Sequence, residues 1–407
     1  MKVAIVHEWF ESYAGSERVV EQMLHLFPQA DVFGVADFLS DEDRAFLAGR
    51  KVHTTFIQKL PFARRWFRHY LPLMTLAVEQ LDLSSYQLVL SSSHAVSKGV
   101  LTGPDQVHVS YVHSPIRYAW DLQHQYLQDS GLSSGMKGLF ARIVLHYMRL
   151  WDFRTGPGVD LFLANSAFIG RRIRKAYGRE SVVVYPPVDV KAFPLCTDKD
   201  DYYLTVARMV PYKKMPVIVE AFARMRDKRL VVVGEGPDYE HCRNLAAGSP
   251  NVELVGRLPA SRLRECMQRA KAFVFAAEED FGITVVEAQA CGTPVIAFGR
   301  GGARETVRPI GGRHAATGIF FDEQTPESVM AGVRRFESAQ GQIDPLACRK
   351  NAERFSVESF RQAYVKRVEE ALAGSDFAWP QDEPSYLAAT CPGPAGVLAA
   401  AMAAEAT

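Results

Sequence analysis

Glu279 and Glu287 stand eight residues apart in "EEDFGITVVEAQACGTPVIA", residues 278–297, with an apolar run between them. "TVVEAQA" reads as a short helix, because Gly292 is placed to end it in a left-handed conformation and Pro294 forbids its return. "PVIAF" then resumes as a buried strand, since a short β-branched apolar run after such a stop is strand-like. Asp280, Phe281 and Gly282 precede the helix, where backbone N–H groups lack helical partners and carry partial positive charge. Eight positions are about two helical turns. Free N–H donors beside two carboxylates suit a ligand that is both anionic and rich in hydroxyls, and a nucleotide-sugar is such a molecule.

Cations stand upstream. Arg208 and Lys213 lie in "LTVARMVPYKKM", between a strand-like and a helix-like run, and Lys214 is adjacent. Two cations at the carboxyl end of a strand can neutralise a diphosphate, Arg bidentately. Taken alone, the pair also reads as a basic surface loop. "VVVGEGPDYE" offers Gly234 and Gly236 but no third glycine, so it is weak as a dinucleotide fingerprint. In the first half, "YAGSERVVEQM" opens a helix at Gly15 and Ser16, and "SYVHSPIRYAWD" releases His113 from a strand end. A lone Gly-Ser is ordinarily a turn, and a lone histidine is ordinarily structural. Ser166 in "LANSAFIGRRI" reads first as a helix N-cap.

The elements that must position these residues fall into two series. "KVAIV", "DVFGVA", "QLVLSSS", "VHVSYVH", "DLFLANS" and "SVVVYPP" alternate with helix-like segments. "DYYLTVAR", "RLVVVGEGP", "NVELVGR", "AFVFAAEE", "PVIAFG" and "GIFF" repeat the pattern. Alternation of this kind predicts α/β domains with parallel sheets, two of them in 407 residues, joined through "YPPVDVKAFPLCTDKDD". We set the domains at 1–190 and 191–372, the second closed by the amphipathic "ESFRQAYVKRVEEAL". Residues 373–407, rich in Ala and Pro, are expected to be disordered or to form a poorly packed helix. Such domains bind ligand in the cleft facing the carboxyl ends of both sheets.

Lys plus Arg number 47 against 46 Asp plus Glu, so no global charge points to nucleic acid. Six cysteines without CxxC pairing suggest neither a zinc site nor a disulfide framework, and a reduced compartment. "MKVAIVHEWF" reads as a first strand and not a signal peptide, and no apolar run approaches the ~20 residues of a membrane span. A soluble or peripheral protein is expected. Ile57 to Met74 interleaves Lys59, Arg64, Arg65 and Arg68 with Phe62, Trp66, Phe67 and Tyr70. That mixture is compatible with an anionic membrane surface, and equally with a core-facing aromatic stripe and a solvated basic face.

Together these stretches resemble the retaining GT-B glycosyltransferases of family four, over residues 1 to about 372. Glu279 and Glu287 match that family's E-x7-E motif and Arg208 and Lys213 its R-x4-K motif, with "VVVGEGP" and "NVELVGR" in order between them. The resemblance implies two Rossmann-like domains facing a central cleft: an N-terminal acceptor side and a C-terminal nucleotide-sugar side. It implies that Arg208 and Lys213 hold the donor diphosphate, that Glu287 takes the ribose hydroxyls, and that Glu279 contacts the donor sugar, aided by N–H groups of Phe281, Gly282 and Ile283. Gly15 would approach the phosphates, and His113 would face the reacting sugar. No metal and no cofactor are implied, and the reaction is usually drawn as a front-face substitution in which the leaving phosphate takes the acceptor's proton.

"HEWFESYAGSERVVEQ", "SSSHAVSKGVLTGPDQ", "HSPIRYAWDLQHQYL" and "YPPVDV" are similar to bacterial O-antigen and exopolysaccharide transferases that use GDP-mannose or GDP-rhamnose. In that subgroup the acceptor is a lipid-linked saccharide, placing the enzyme in the cytoplasm or on the inner membrane's cytoplasmic face. Glu8 departs from the commoner Asp, and Ala14-Gly15-Ser16 from a Gly-Gly-Ala type loop. Two other classes share parts of this pattern. A nucleotide-sugar-binding subunit without turnover needs the same donor cleft. An epimerase or dehydrogenase needs a nicotinamide, which the incomplete fingerprint disfavours.

Overall fold

The computed structural model describes residues 1–339 and 341–374. The expected disordered tail therefore lies, apart from its first two residues, outside the described residues. Two parallel sheets organise the chain. The first contains β1 (Val3–His7), β2 (Asp31–Gly34), β3 (Val52–Thr54), β4 (Leu88–Ser93), β5 (Val107–Val112), β6 (Leu161–Ala164) and β7 (Val182–Val183). Its order is β3-β2-β1-β4-β5-β6-β7. The second contains β8 (Tyr203–Val206), β9 (Leu230–Val233), β10 (Val252–Gly256), β11 (Ala272–Phe275), β12 (Val295–Phe298) and β13 (Gly318–Phe321), in the order β10-β9-β8-β11-β12-β13.

Helices cover both faces of each sheet, so β1, β4, β5, β9, β11 and β12 are buried along their whole length. This is why β9, β11 and β12 are continuous apolar runs with no alternation, while β1, β4 and β5 carry buried His and Ser among their apolar residues. The direction of strand addition reverses between β1 and β4 in one sheet and between β8 and β11 in the other. Crevices open at such points, beyond the carboxyl ends of the strands.

The final helix, Val357–Ala373, departs from its expected place in the second domain. Its Phe360, Tyr364, Val365, Val368 and Leu372 join the core of the first sheet with Ile5, Leu90, Val109 and Tyr111. Phe360 packs edge-on against Tyr111 at 5.8 Å. The helix's apolar stripe is as the sequence predicts, but its partner is a surface more than 240 residues upstream. The chain therefore crosses between domains twice, and the crossings touch: Val188 N–H donates to Phe355 O at 2.9 Å, and Val188 bridges Ser356.

Ile57–Met74 is not one amphipathic helix. It breaks into the turns 56–59 and 67–70, a one-turn helix 63–66, and the start of a helix at Leu71. Phe62 lies in the left-handed region at φ 53, which interrupts any helix there. Ile57, Phe67 and Met74 are core, whereas Phe62, Trp66, Arg64, Arg65 and Arg68 are exposed. No helix among the described residues is long and apolar enough to cross a membrane.

Candidate functional site

Arg208 follows β8 on a loop shaped by two glycines. Gly234 and Gly236 have φ of 141 and 147, and a Cβ there would lie 1.9 Å from Ala207 O and 2.4 Å from Met209 O. Only glycine permits that approach, so these residues shape the Arg208 loop through its backbone. Arg208 is exposed and makes no ion pair among the described residues. Lys213 is mostly buried and its ammonium lies against the Glu279 carboxylate. Burial first, then the nearby Arg117 and Arg208 guanidiniums, push Lys213 down to about 8. Three cations crowd a space that an anion would relieve. Lys214 holds a left-handed φ of 55 at the head of the Met215–Arg224 helix, which sets the turn between the two lysines.

The helix after β11 runs Ile283–Ala290 with Gly282 as N-cap at φ 90. Its first N–H groups point out of the helix's start, beside Glu279. Phe281's side chain is core, edge-on to Phe355 at 5.3 Å, so only its backbone is available to a ligand. Glu287 is buried one face inward and pairs with Arg18 of the first domain, Nη1 to Oε1 at 3.1 Å. Gly15 meets the same helix: a Cβ there would sit 3.2 Å from Ile283 Cδ1. Two helix N-termini thus face each other across the cleft.

Asp280 ties the domains together. Its carboxylate accepts from Arg117 Nη2 at 2.7 Å and Arg172 Nη1 at 2.9 Å, and its carbonyl accepts from Ser166 Oγ at 2.6 Å. Ser166 also caps the Ala167–Tyr177 helix by accepting from Ile169 N. Glu305 reaches across as well, accepting from Ala167 N at 2.7 Å and Phe168 N at 3.0 Å.

His113 leaves the end of β5 and is bound into a chain of polar groups. Its Nε2 lies 2.9 Å from Ser92 Oγ, Ser92 Oγ lies 3.2 Å from His7 Nδ1, and His7 Nε2 lies 3.3 Å from Glu17 Oε1. Glu17 then accepts from Ala14 N at 3.1 Å and Ser16 Oγ at 2.9 Å, fixing the loop that carries Gly15. The path runs from the Gly15 loop to His113 through the ends of β1 and β4. Burial, reinforced by His94 and His7, holds His113 well below the usual imidazole range, so it is neutral at physiological pH. Burial opposes charge on Glu17, yet hydrogen bonds from His7 and Ser16 keep it at about 2. Glu8 is fully buried and accepts from the backbone N–H groups of His94, Ala95, Val96 and Ser97 at 2.7–3.1 Å. Glu8 therefore organises the loop after β4.

Beside Lys213 the two domains enclose a cavity of about 470 Å³. Arg117, Arg171, Arg172, Lys175 and Lys214 line it against only Asp121 and Glu278, with Trp120, Phe168 and Tyr212 as flat apolar walls. Its chemistry suits an anionic saccharide: rings stack on aromatic faces while cations take phosphate. No cluster of three metal-ligating side chains occurs among the described residues.

None of the nine predicted site residues is in the lining of that cavity, which lies next to Lys213. Arg208 and Lys213 stand on the loop after β8, Glu279, Phe281 and Gly282 on the loop after β11, Ile283 and Glu287 on the helix that follows, and Gly15 meets Ile283 from the first domain. His113 joins Gly15 through Glu17, His7 and Ser92. Sequence reasoning passed over Arg18, Arg117, Arg172 and Asp280, which make the contacts between domains.

Residues 13–192 match the family described as Glycosyltransferase Family 4, and residues 190–355 match Glycosyl transferases group 1. Sucrose-phosphate synthase from Thermosynechococcus elongatus superposes with a TM-score of 0.69 at 17% identity, covering 92% of this chain and 100% of that one. Alr3699/HepE from Anabaena, in complex with UDP, gives 0.64 at 16% identity, covering 91% and 100%. The chain is built from the two glycosyltransferase domains of the GT-B fold. Curated relatives of this GT-B chain include the D-inositol 3-phosphate glycosyltransferase of Geodermatophilus obscurus, 32% identical over 54% of this chain and 56% of that protein. The GDP-mannose-dependent monoacylated alpha-(1-6)-phosphatidylinositol monomannoside mannosyltransferase of Corynebacterium glutamicum is 33% identical over 39% and 49%. The matches to the GT-B chain span about half the length of these relatives.

Proposed function

We propose that this chain is a retaining hexosyltransferase that moves mannose or a related sugar from a GDP-sugar to a lipid-linked saccharide. Its setting is bacterial surface polysaccharide synthesis, at the cytoplasmic face of the inner membrane. The observation that carries the reading is the convergence on one cleft of Arg208, Lys213, Glu279, Glu287 and the start of the Ile283–Ala290 helix, opposite Gly15. The names of relatives that use GDP-mannose and act on phosphatidylinositol mannosides favour this donor and a lipid-borne acceptor.

Arg208 and Lys213 would neutralise the diphosphate as the glycosidic bond breaks, and the helix N-terminus would add fixed N–H dipoles. On this reading no metal is required. Neutral His113 is suited to hydrogen-bond the donor sugar without repelling the positive charge that develops at its anomeric carbon. The leaving phosphate oxygen would accept the acceptor hydroxyl's proton on the same face, so configuration is kept. The cationic cavity beside Lys213 would seat the acceptor's phosphate-bearing end. Thermal shifts with GDP-, UDP- and ADP-sugars identify the donor, and transfer to a polyprenyl-diphosphate saccharide, with the anomer read by NMR, tests the reaction. The absence of any donor-induced shift, or an inverted linkage, would falsify the proposal.

A further inference from the structure

The Gly135–Arg154 helix turns an apolar stripe toward water. Met136, Leu139, Phe140, Ile143, Tyr147 and Leu150 are 47–80% exposed, and at 3.6 residues per turn they fall within about 100° of arc. The opposite side, with Gly138, Met148, Trp151 and Asp152, is buried, so the helix is seated firmly with this stripe outward. Leu73 and Leu76 of the neighbouring Leu71–Glu79 helix are exposed as well. Thr75 Oγ1 and the Tyr147 hydroxyl, 3.0 Å apart, hold the two helices side by side. A contiguous apolar surface of this kind marks an interaction site.

The charge around it selects the occupant. Asp152 is the only acid on the 20-residue helix, and it is buried against Lys98 at 2.8 Å. Exposed Lys137 shares the helix with half-buried Arg142 and Arg149 and with Arg154, which pairs with Glu79 of the neighbouring helix, and exposed Arg64 and Arg65 lie on the segment leading into that neighbour. A second copy docked symmetrically would bring cation rim against cation rim. An anionic bilayer satisfies both the apolar centre and the basic margin. We infer that this face docks on an anionic lipid bilayer, with the Gly135–Arg154 helix lying in the headgroup plane. The dock shares with the functional reading only the acceptor's lipid, and it reaches the cleft directly. Arg149 donates to Ala119 O at 2.7 Å, within the segment that lines the cationic cavity.

Co-sedimentation of the full chain with phosphatidylglycerol/phosphatidylcholine vesicles, against phosphatidylcholine alone, is the test. Wild type should bind the anionic vesicles, more weakly in high salt. A variant carrying Leu139→Ser, Phe140→Ser and Ile143→Ser should bind about tenfold more weakly or worse. These side chains are exposed, so its melting curve should be unchanged; Arg64→Glu with Arg65→Glu supplies a second variant that leaves the stripe intact and should also weaken binding. Equal vesicle binding by wild type and the triple variant overturns the proposal, as does no binding by wild type. So does a lipid-free dimer that the triple variant converts to monomer, or vesicle binding gained only when residues 375–407 are removed. Donor-induced thermal shifts, measured on the same samples, separate this outcome from failure of the transferase reading.

Discussion

Lys213 offers a quantitative test because burial and two neighbouring guanidiniums make its charge costly. An ordinary lysine loses its proton near 10.5, whereas burial, Arg117 and Arg208 bring Lys213 to about 8. At 1.36 kcal/mol per unit, that gap is roughly 3 kcal/mol of unfavourable energy that a bound diphosphate would cancel. The sign follows: free protein releases the proton as pH rises through 8, and the donor complex takes it back. Donor affinity must therefore fall as pH rises. If the complex restores an ordinary lysine, affinity drops about tenfold between pH 7 and pH 9. Glu279 against the ammonium opposes the depression, so tenfold is the maximum and about threefold a reasonable minimum. Isothermal calorimetry with a sugar nucleotide, in buffers of different ionisation enthalpy, reads both the affinity and the proton uptake. Lys213→Arg keeps a charge that does not titrate in this range, so its profile should be flat. A wild-type change below twofold, or equal slopes for the two proteins, refutes the argument.

Glu287→Gln should weaken donor binding at least several-fold, because charge-assisted hydrogen bonds are worth about 1.5–3 kcal/mol and displacing Arg18 offsets part of that; unchanged calorimetric affinity removes Glu287 from the ribose site. Arg208→Ala should lower turnover by about 100- to 1,000-fold with folding intact, while EDTA leaves wild-type turnover unchanged; near-normal turnover in the variant, or activity abolished by chelation and restored by a divalent ion, contradicts the assignment. Ser92→Ala removes the contact between His7 and His113, and should cut kcat by about two- to tenfold with donor KM unchanged, which steady-state kinetics decides. Glu8→Gln should lower stability by about 1.5–3 kcal/mol in denaturant titration, since its carboxylate holds four backbone N–H groups. Glu8 and Glu17 are held below 4.5 in the folded chain, so their contribution is complete above that pH and lost as pH falls toward 2; the variant's acid limb should be shallower.

Strands such as "KVAIV" and "AFVFA" were legible because burial on both faces makes apolar composition alone diagnostic. β3 was not: "VHT" is short, polar and at the sheet edge, and only its pairing with Val32–Gly34 defines it. The paired motifs were readable because each is local in sequence: Arg208 and Lys213 share the loop after β8, and Glu279 stands in the loop that leads into the helix carrying Glu287. Asp280 stood in plain view inside the same motif, but its two partners lie 163 and 108 residues away, in the other domain. Glu8 was noticed as a departure, and its role as an acceptor for the loop after β4 depends on contacts 86 to 89 residues distant. The Gly135–Arg154 helix was missed as a surface for a different reason. "GLFARIVLHYMRLW" is apolar on several sides, so periodicity cannot say which side faces outward.

The two crossings of the chain between its domains lie side by side, joined by the Val188–Ser356 bridge and the Val188–Phe355 hydrogen bond. Domain closure runs about a few loop or element-terminal residues where the chain passes between domains. Any opening of the cleft should then follow the path of a door on a two-leaf hinge. Gly15 would swing away from Ile283 along an arc while the floor near Val188 stays put. Arg18 with Glu287, and Asp280 with its two arginines, act as the door's catches. Each catch that releases frees a cation of the first domain and a carboxylate of the second, leaving both sides charged to meet an incoming phosphate and its hydroxyl-bearing sugar.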